Sequence, residues 1–429
     1  MSEEKSLRIG IVGGGAAGLF TACMLCFFAK SSQTKADITI LEKTGKVGSK
    51  LLLTGHGRCN ITNHKSPMAL KAGYHEADSF IYPALNSFSP DAVIKFFETE
   101  LQCDLVEQEN NRVFPKTEKS QTVLDAILKY ISGVCIVTDF SCTNIEKTAE
   151  GIEVISKAQA KQTFDRVVLA MGGSSYSHTG SDGSSFKLAS KMGHTISPIK
   201  AALSSVDVSE NDRKITSKLS GLSVNADANL FYDNKKQMAT SGDVLFTHKG
   251  LSGPAIYELS REIPLDISSR EGWIELDFLP NRRDEEVDAE LLKSINEKPD
   301  TKLINLTSSY VPSSLSQAIV EVSVKDCEFK RADVTEIYAK DTNRPLRKAC
   351  ATNLKHMKFA LETAPNIDTA FVTSGGVKLT EINRKTMESK CMQGVYIIGE
   401  MLDIDGISGG YNLQAGLSES FVVSKDILS

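Results

Sequence analysis

The sequence predicts an α/β protein built on a parallel sheet and interrupted by a β-rich insertion followed by a helical one. Three observations carry this expectation. An apolar, β-branched run over residues 7–12 passes directly into Gly13-Gly14-Gly15-Ala16-Ala17-Gly18 and a further apolar stretch. Strand, glycine turn and strand recur near the C-terminus, at residues 371–376 and 395–399. Between these parts the texture turns β-branched and alternating after about Pro198, then charged and helix-forming from Asp284 to about Lys355.

The first run suits a strand buried on both faces. Three glycines at GxGxxG spacing then let a turn and the start of a helix lie against a pyrophosphate, whose anionic oxygens the backbone amides hold. The next apolar run, over residues 38–41, ends at Glu42. A carboxylate there accepts hydrogen bonds from both hydroxyls of an adenosine ribose and disfavours a 2′-phosphate. Strand before, helix after and acid at the end of the second strand together favour a bound dinucleotide over an unliganded turn. Residues 9–29 are nearly free of polar groups, but the glycines divide them into a strand and a helix, each too short to cross a bilayer. No cleavage site with the right flanks follows. A cytoplasmic protein with no membrane partner is expected.

A chain of 429 residues, 41% hydrophobic and 24% charged, has room for two or three ordinary globular domains. Its net charge of -5 gives no general attraction for nucleic acid, so a small-molecule substrate is expected and a nucleic-acid partner is not. Nine cysteines without regular spacing fit reduced thiols. Cys23 and Cys26 form a CxxC inside the apolar helix and read as packing residues. The histidines show no ligand spacing, so no metal is expected.

Along the chain, helical periodicity covers residues 80–97 and 121–131. Residues 134–140, 152–155 and 164–169 read as a three-strand meander leading into Ala170-Met171-Gly172-Gly173. Residues 222–232, 244–247 and 273–278 carry the inserted sheet, and Val287, Leu291, Leu292 and Ile295 mark a helix after it. The expected division is 1–199 and 371–429 for a discontinuous dinucleotide domain, 200–283 for the β-rich insertion, 284–354 for the helical subdomain, and 355–370 for strands returning to the β-rich part.

Three blocks carry candidate chemistry. Residues 43–63 place glycines beside Lys50 and Arg58, cations able to neutralise a pyrophosphate, and beside amides and hydroxyls suited to a heterocycle's edge; a solvated loop of Gly and Asn turns has the same composition. Residues 399–416 combine an acid at a strand end with a helix start, which would serve a ribityl chain and a ring carbonyl, or simply cap a turn. His248, in the block 243–254, is a candidate proton donor, although Ser252 and Pro254 as helix-start residues explain that block without chemistry. Cys59 reads as a reactive thiol or as buried packing. Arg344, Arg347, Lys348, Lys355 and Lys358 form a basic stretch that reads first as a solvated helix face.

Together, residues 13–18, Glu42-Lys43, 48–63, 112–115, 170–176, 246–254, 373–377 and 399–414 resemble the FAD-binding family of aminoacetone oxidase-type and bile-acid dehydro-reductase-type flavoproteins. The resemblance spans nearly the whole chain. It implies a Rossmann-type, glutathione-reductase-like FAD domain interrupted by a β-barrel-like domain and a small helical one. Carried onto this sequence, it implies that Gly13, Gly15 and Gly18 hold the pyrophosphate and Glu42 the adenosine ribose, with Ala16, Ala17 and Lys43 among the cofactor-binding residues. Lys50, Arg58, Asn60 and Thr62 would line the flavin side, and Cys59 is counted with the cofactor-binding residues. Gly172 and Gly173 would pass near the adenine half, while Gly399, Glu400, Asp403, Asn412, Leu413 and Gln414 would bind ribityl and ring. Met171 departs from the threonine more usual there.

The expected function is that of an FAD-dependent oxidoreductase acting on a small molecule. One mechanism has NADH or NADPH reduce the flavin, whose N5 passes hydride to an activated double bond. The alternative is an amine oxidase of the aminoacetone type that uses dioxygen and releases hydrogen peroxide. A third reading is a flavoprotein that binds or modifies RNA. No second GxGxxG follows a strand, so NAD(P)H is expected to dock transiently.

Overall fold

In the computed structural model, residues 6–330 and 333–428 are described. They fold as two units, one running to Ala201 and resuming at Ile367, the other comprising Ala202–Asn366. The first is built on five strands: β1 (Leu7–Val12), β2 (Ala36–Leu41), β3 (Cys135–Val137), β4 (Arg166–Leu169) and β5 (Val395–Ile397). They lie in the order β5-β4-β1-β2-β3, with every neighbouring pair parallel. This is the Rossmann order. Winding reverses between β1 and β4, so the chain leaves their C-terminal ends in opposite directions and opens a crevice there. The interior position of β1 explains its composition: Ile9 and Ile11 are fully buried, and Gly10 makes room for the Phe164 ring, which would lie 2.6 Å from a Cβ.

Helix α1 (Ala16–Ser32) is apolar on most sides because it packs on β1 and β2 and also on the C-terminal helix α2 (Tyr411–Leu428). Small residues permit that close approach. The Ser420 hydroxyl oxygen lies 3.1 Å from both the Thr21 hydroxyl and the Ala17 carbonyl, and a Cβ on Gly416 would sit 3.6 Å from the Ala17 methyl. Cys23, in α1, is fully buried, and burial pushes its thiol well above its ordinary pKa; Cys26 is shifted the same way for the same reason. Both behave as packing residues.

Two local expectations are corrected. The helix expected over 80–97 is two helices, Asp78–Ser87 and Pro90–Thr99, because Ser89 caps the second through the Ala92 amide and Pro90 has no amide to continue the first. The meander is shifted along the chain. Cys135–Val137 joins the parallel sheet, whereas the antiparallel trio is Cys142–Thr148, Gly151–Ser156 and Lys161–Phe164. The strand expected over 164–169 breaks at Asp165, whose carboxylate turns back to accept the Arg8 amide and guanidinium, each at 2.8 Å.

The second unit is a six-stranded antiparallel sheet in the order Val206–Asp207, Gly250–Ser252, Lys235–Phe246, Ser223–Tyr232, Gly272–Asp277 and Met357–Ala360. Its two outer strands meet. The Ser209 amide donates to the Ala360 carbonyl at 2.8 Å and the Glu362 amide to the Asp207 carbonyl at 3.2 Å, with Val208 bridged to Leu361. The sheet thus closes on itself as a small barrel, which removes its exposed edges. Alternate residues of Gly272–Asp277 are buried, as the sequence alternation requires. Helices Asp284–Glu297, Ser313–Asp326 and Arg344–Lys355 add Val287, Leu315, Ile319 and Leu354 to the barrel core and enclose a smaller one around Leu291, Leu303, Leu346 and Cys350.

Candidate functional site

An open-mouthed cleft lies in the first unit at the carboxyl ends of the parallel strands. Four of the five contribute: Val12 and Gly13 at the end of β1, Leu41 and Glu42 at the end of β2, Ala170 and Met171 after β4, Ile398 and Gly399 after β5. This is the switch-point crevice at which open α/β sheets take their ligands.

The three glycines of the first turn are required for three different reasons. Gly13 has φ +107°, and a Cβ there would stand 2.4 Å from the Ala170 carbonyl oxygen. A Cβ on Gly18 would meet the Gly13 carbonyl oxygen at 1.9 Å, so this glycine sets how closely α1 packs on the turn. Gly15 is different. It stands at the N-cap of α1 in ordinary extended backbone, and a Cβ there would meet no protein atom within 4 Å, only the open cleft. A glycine that the protein itself does not need, at the positive end of a helix dipole, marks where a backbone must approach an anionic ligand.

Glu42, 7% exposed, accepts through Oε2 from the Gly14 amide at 2.7 Å and through Oε1 from the Thr44 amide at 2.7 Å and its hydroxyl at 2.8 Å. The carboxylate is therefore held rigidly at the end of β2, and with two acceptor sites per oxygen Oε2 keeps one for a ligand. Lys43 is paired with Asp182 at 2.5 Å. Lys50, on the cleft wall, donates to Glu400 Oε2 at 2.6 Å and to the Ser175 hydroxyl at 2.5 Å. Glu400 Oε1 in turn accepts from the Thr373 amide at 2.8 Å and the Ser175 hydroxyl lies 3.1 Å away. Asn412 clamps the approach to α2 through both its amide atoms on Gly406, at 2.8 and 2.9 Å.

Of the expected residues, Gly13, Gly15, Ala16, Ala17, Glu42, Lys43, Lys50, Gly172, Gly399, Glu400, Asn412 and Leu413 line this one cleft. The others do not. Arg58 lies over the Phe114 ring, 4.5 Å from its centre. Cys59 is fully buried, and burial pushes its thiol up to about 12, so it is packing and not a nucleophile. Asn60, with its amide oriented to satisfy both ends, donates to the Val113 and Thr62 carbonyls and accepts from the Gly410 amide. Thr62 and Gln414 are buried against each other at 2.5 Å, and Gln414 also donates to the Phe88 carbonyl. Gly173 makes room for Thr373, whose hydroxyl oxygen would be 2.3 Å from a Cβ, and the Asp403 amide donates to the Val377 carbonyl. His248 belongs to the second unit, exposed in a turn whose carbonyl accepts from the Ser217 hydroxyl.

Sequence reasoning missed Ser175 and Thr373, which complete the Lys50–Glu400 network. Their signal was available: each is a hydroxyl residue two positions from a glycine pair near a strand end. It also missed Glu419 on α2. This residue is fully buried, accepts from the Gly399 amide at 2.6 Å through Oε2, and has no partner for Oε1; burial pushes its carboxyl up to about 8.

The residues present fit FAD: an uncrowded glycine at a helix N-terminus for the pyrophosphate, an immobilised carboxylate for a ribose, and a charge-balanced polar network on the cleft wall. Comparison with known proteins agrees. The family described as HI0933-like protein Rossmann domain matches residues 7–426. A 3-dehydro-bile acid delta(4,6)-reductase from Clostridium scindens is 28% identical over 422 residues, covering 97% of this chain and 98% of that protein. Ribosomal RNA dihydrouridine synthases from Haemophilus influenzae and Escherichia coli are 27% and 24% identical, covering 97% and 98% of this chain and 97% of each relative. With a family match running from the first strand to the last helix, the chain belongs to the HI0933-like Rossmann-domain family and is an FAD-dependent oxidoreductase.

Proposed function

We propose that the protein reduces an activated carbon–carbon double bond in a small molecule, taking electrons from NADH or NADPH through FAD held in the cleft. The observation that carries the cofactor assignment is Gly15, open to the cleft and free of any demand from the fold. In this reading the amides of Gly15, Ala16 and Ala17 hold the pyrophosphate and Glu42 the adenosine ribose, while Gly13, whose own amide donates to the Leu41 carbonyl at 2.9 Å, shapes the turn. Gly172 lets the backbone pass close to the adenine half. Glu400, Asn412, Leu413 and the Gly399 backbone hold the flavin side. Lys50 has three ammonium protons; Ser175 and Glu400 take two, which leaves one for a ligand. Bound FAD supplies two-electron storage and hydride transfer.

The reductive direction is supported by the names of the relatives. One is a reductase acting at delta(4,6) of a bile acid, and two make dihydrouridine, a base that lacks the ring double bond of uridine. Those two names also favour a second reading, in which the double bond belongs to a uridine in ribosomal RNA. The basic stretch gives that reading little help: Arg347 faces Asp288 at 3.2 Å, Lys355 is paired with Asp277 at 2.7 Å, and Lys358 lies 4.9 Å from the centre of the Trp273 ring.

Anaerobic titration of the yellow holoprotein tests the proposal. Bleaching by NADH or NADPH, followed by recovery of colour on adding an α,β-unsaturated ketone, is the expected result. Bleaching by amines alone, with peroxide formed on aeration, would establish an oxidase instead. Recovery of colour only with uridine-containing ribosomal RNA would select the second reading.

A further inference from the structure

The first unit contains a second constellation of side chains that the flavin chemistry does not use. His194 follows the helix Ser184–Lys191, Glu381 ends the short turn Leu379–Glu381, and Cys391 lies in the loop before β5. The His194 ring is completely buried, whereas Glu381 is 24% exposed and Cys391 faces solvent. Both partners converge on one ring nitrogen: His194 Nδ1 is 3.1 Å from Glu381 Oε2 and 3.6 Å from Cys391 Sγ, and all three atoms lie within 4.8 Å of one another.

We propose that His194, Glu381 and Cys391 form a binding site for a thiophilic divalent cation, Zn²⁺ being the best fit, with the fourth position open to water. The distances carry the argument. Zinc bonds of about 2.0 Å to nitrogen and oxygen and about 2.3 Å to sulfur, at tetrahedral angles, place nitrogen roughly 3.3 Å from oxygen and roughly 3.5 Å from sulfur. The observed separations of 3.1 and 3.6 Å lie close to the two edges that meet at nitrogen, and the oxygen and sulfur lie within 4.8 Å of each other. Imidazole, carboxylate and thiolate together suit zinc and exclude the hard cations calcium and magnesium.

The surroundings are those of an oriented ligand set. A metal on Nδ1 leaves the ring proton on Nε2, which faces the Ser389 hydroxyl oxygen at 2.8 Å. That oxygen also lies 3.1 Å from the Cys391 amide and 3.0 Å from the Met392 amide, so the hydroxyl that orients the ring also shapes the turn that presents the thiol. Glu381 Oε2 is held by the Thr195 amide at 2.8 Å. Metal binding takes the neutral ring with its proton on Nε2 and releases the thiol proton to water. His64 offers a contrast. Glu107 and Asp91 approach its two different ring nitrogens, at 2.7 and 2.8 Å, so no single point is reached by all three residues.

None of the three proposed ligands lines the cleft, so a metal here would clip together the segments that lead into β5 without entering the redox chemistry. Titration calorimetry of chelator-treated, FAD-loaded protein with ZnCl₂ tests the site, with MgCl₂ as the control cation. One equivalent of zinc should bind with micromolar or tighter affinity, and magnesium should not compete. C391S and E381Q, both at solvent-accessible positions, should each weaken zinc binding at least tenfold while keeping the flavin spectrum of the parent protein. Absence of zinc binding would overturn the proposal, as would affinity left unchanged by either substitution.

Discussion

Replacing Gly15 by alanine separates what the fold needs from what the cofactor needs. The residue has φ -77° and ψ -170°, which alanine adopts without strain, and the added methyl would meet no protein atom within 4 Å. Two small effects on the apoprotein oppose each other. Losing unfolded-state freedom stabilises by about 0.4–1 kcal/mol, and alanine is poorer than glycine at an N-cap by a similar amount. The unfolding midpoint of the apoprotein should therefore hardly move. The methyl instead projects into the cleft where the pyrophosphate must touch the backbone, and overpacking of this kind costs about 1–3 kcal/mol, or roughly 5- to 150-fold in FAD affinity. Gly18→Ala is the matched control. Its Cβ would stand 1.9 Å from the Gly13 carbonyl oxygen, a backbone atom with nowhere to retreat, so this variant should destabilise the apoprotein itself. Flavin fluorescence titration and urea unfolding of both apoproteins read the two quantities. Normal FAD affinity in Gly15→Ala, or an apoprotein as damaged as that of Gly18→Ala, would refute the reasoning.

Further consequences can be measured independently. Glu42→Arg removes the acceptor of the Gly14 and Thr44 amides, bonds of about 1.5–3 kcal/mol each when charge-assisted, and should lower flavin content at least about tenfold by the affinity scale; full occupancy after purification would contradict the ribose assignment. Glu419, with its folded-state pKa pushed to about 8 from an ordinary 4.5, is protonated in the folded chain over a range in which the unfolded chain has already ionised. Its contribution to stability is fully present below pH 4.5 and is lost as pH rises through about 8. Wild-type protein should thus lose stability relative to Glu419→Gln across this interval, and parallel urea midpoints would rule the shift out. Iodoacetamide should label exposed Cys135 and Cys391 in the native holoprotein well before buried Cys59; equal rates would mean that Cys59 is accessible.

Features decided within a short stretch of chain were readable in advance. The glycine spacing of the first turn, the acid ending β2 and the glycine turns after β4 and β5 each depend on a few neighbouring residues, and four strand ends accordingly meet at one cleft. Where a side chain's partner lies far along the chain, the sequence did not show that partner. Lys50 read as a free cation for phosphate, but Glu400 balances its charge across the cleft. Arg58 had the right chemistry for the same task, yet the Arg112–Pro115 strand offers it the Phe114 ring. Thr62 and Gln414 looked like polar groups awaiting a ligand and instead satisfy each other in the interior.

The sequence by itself determined that this is a Rossmann-type chain with an FAD-shaped phosphate turn, because a tight turn, a helix start and a strand-end acid are written in local backbone demands and local charge. Only the tertiary structure decided which polar groups remain available to a ligand, which strands meet to close the inserted sheet, and that His194, Glu381 and Cys391 come to one point. A buried polar atom must find a partner, and which partner it finds depends on how the whole chain packs.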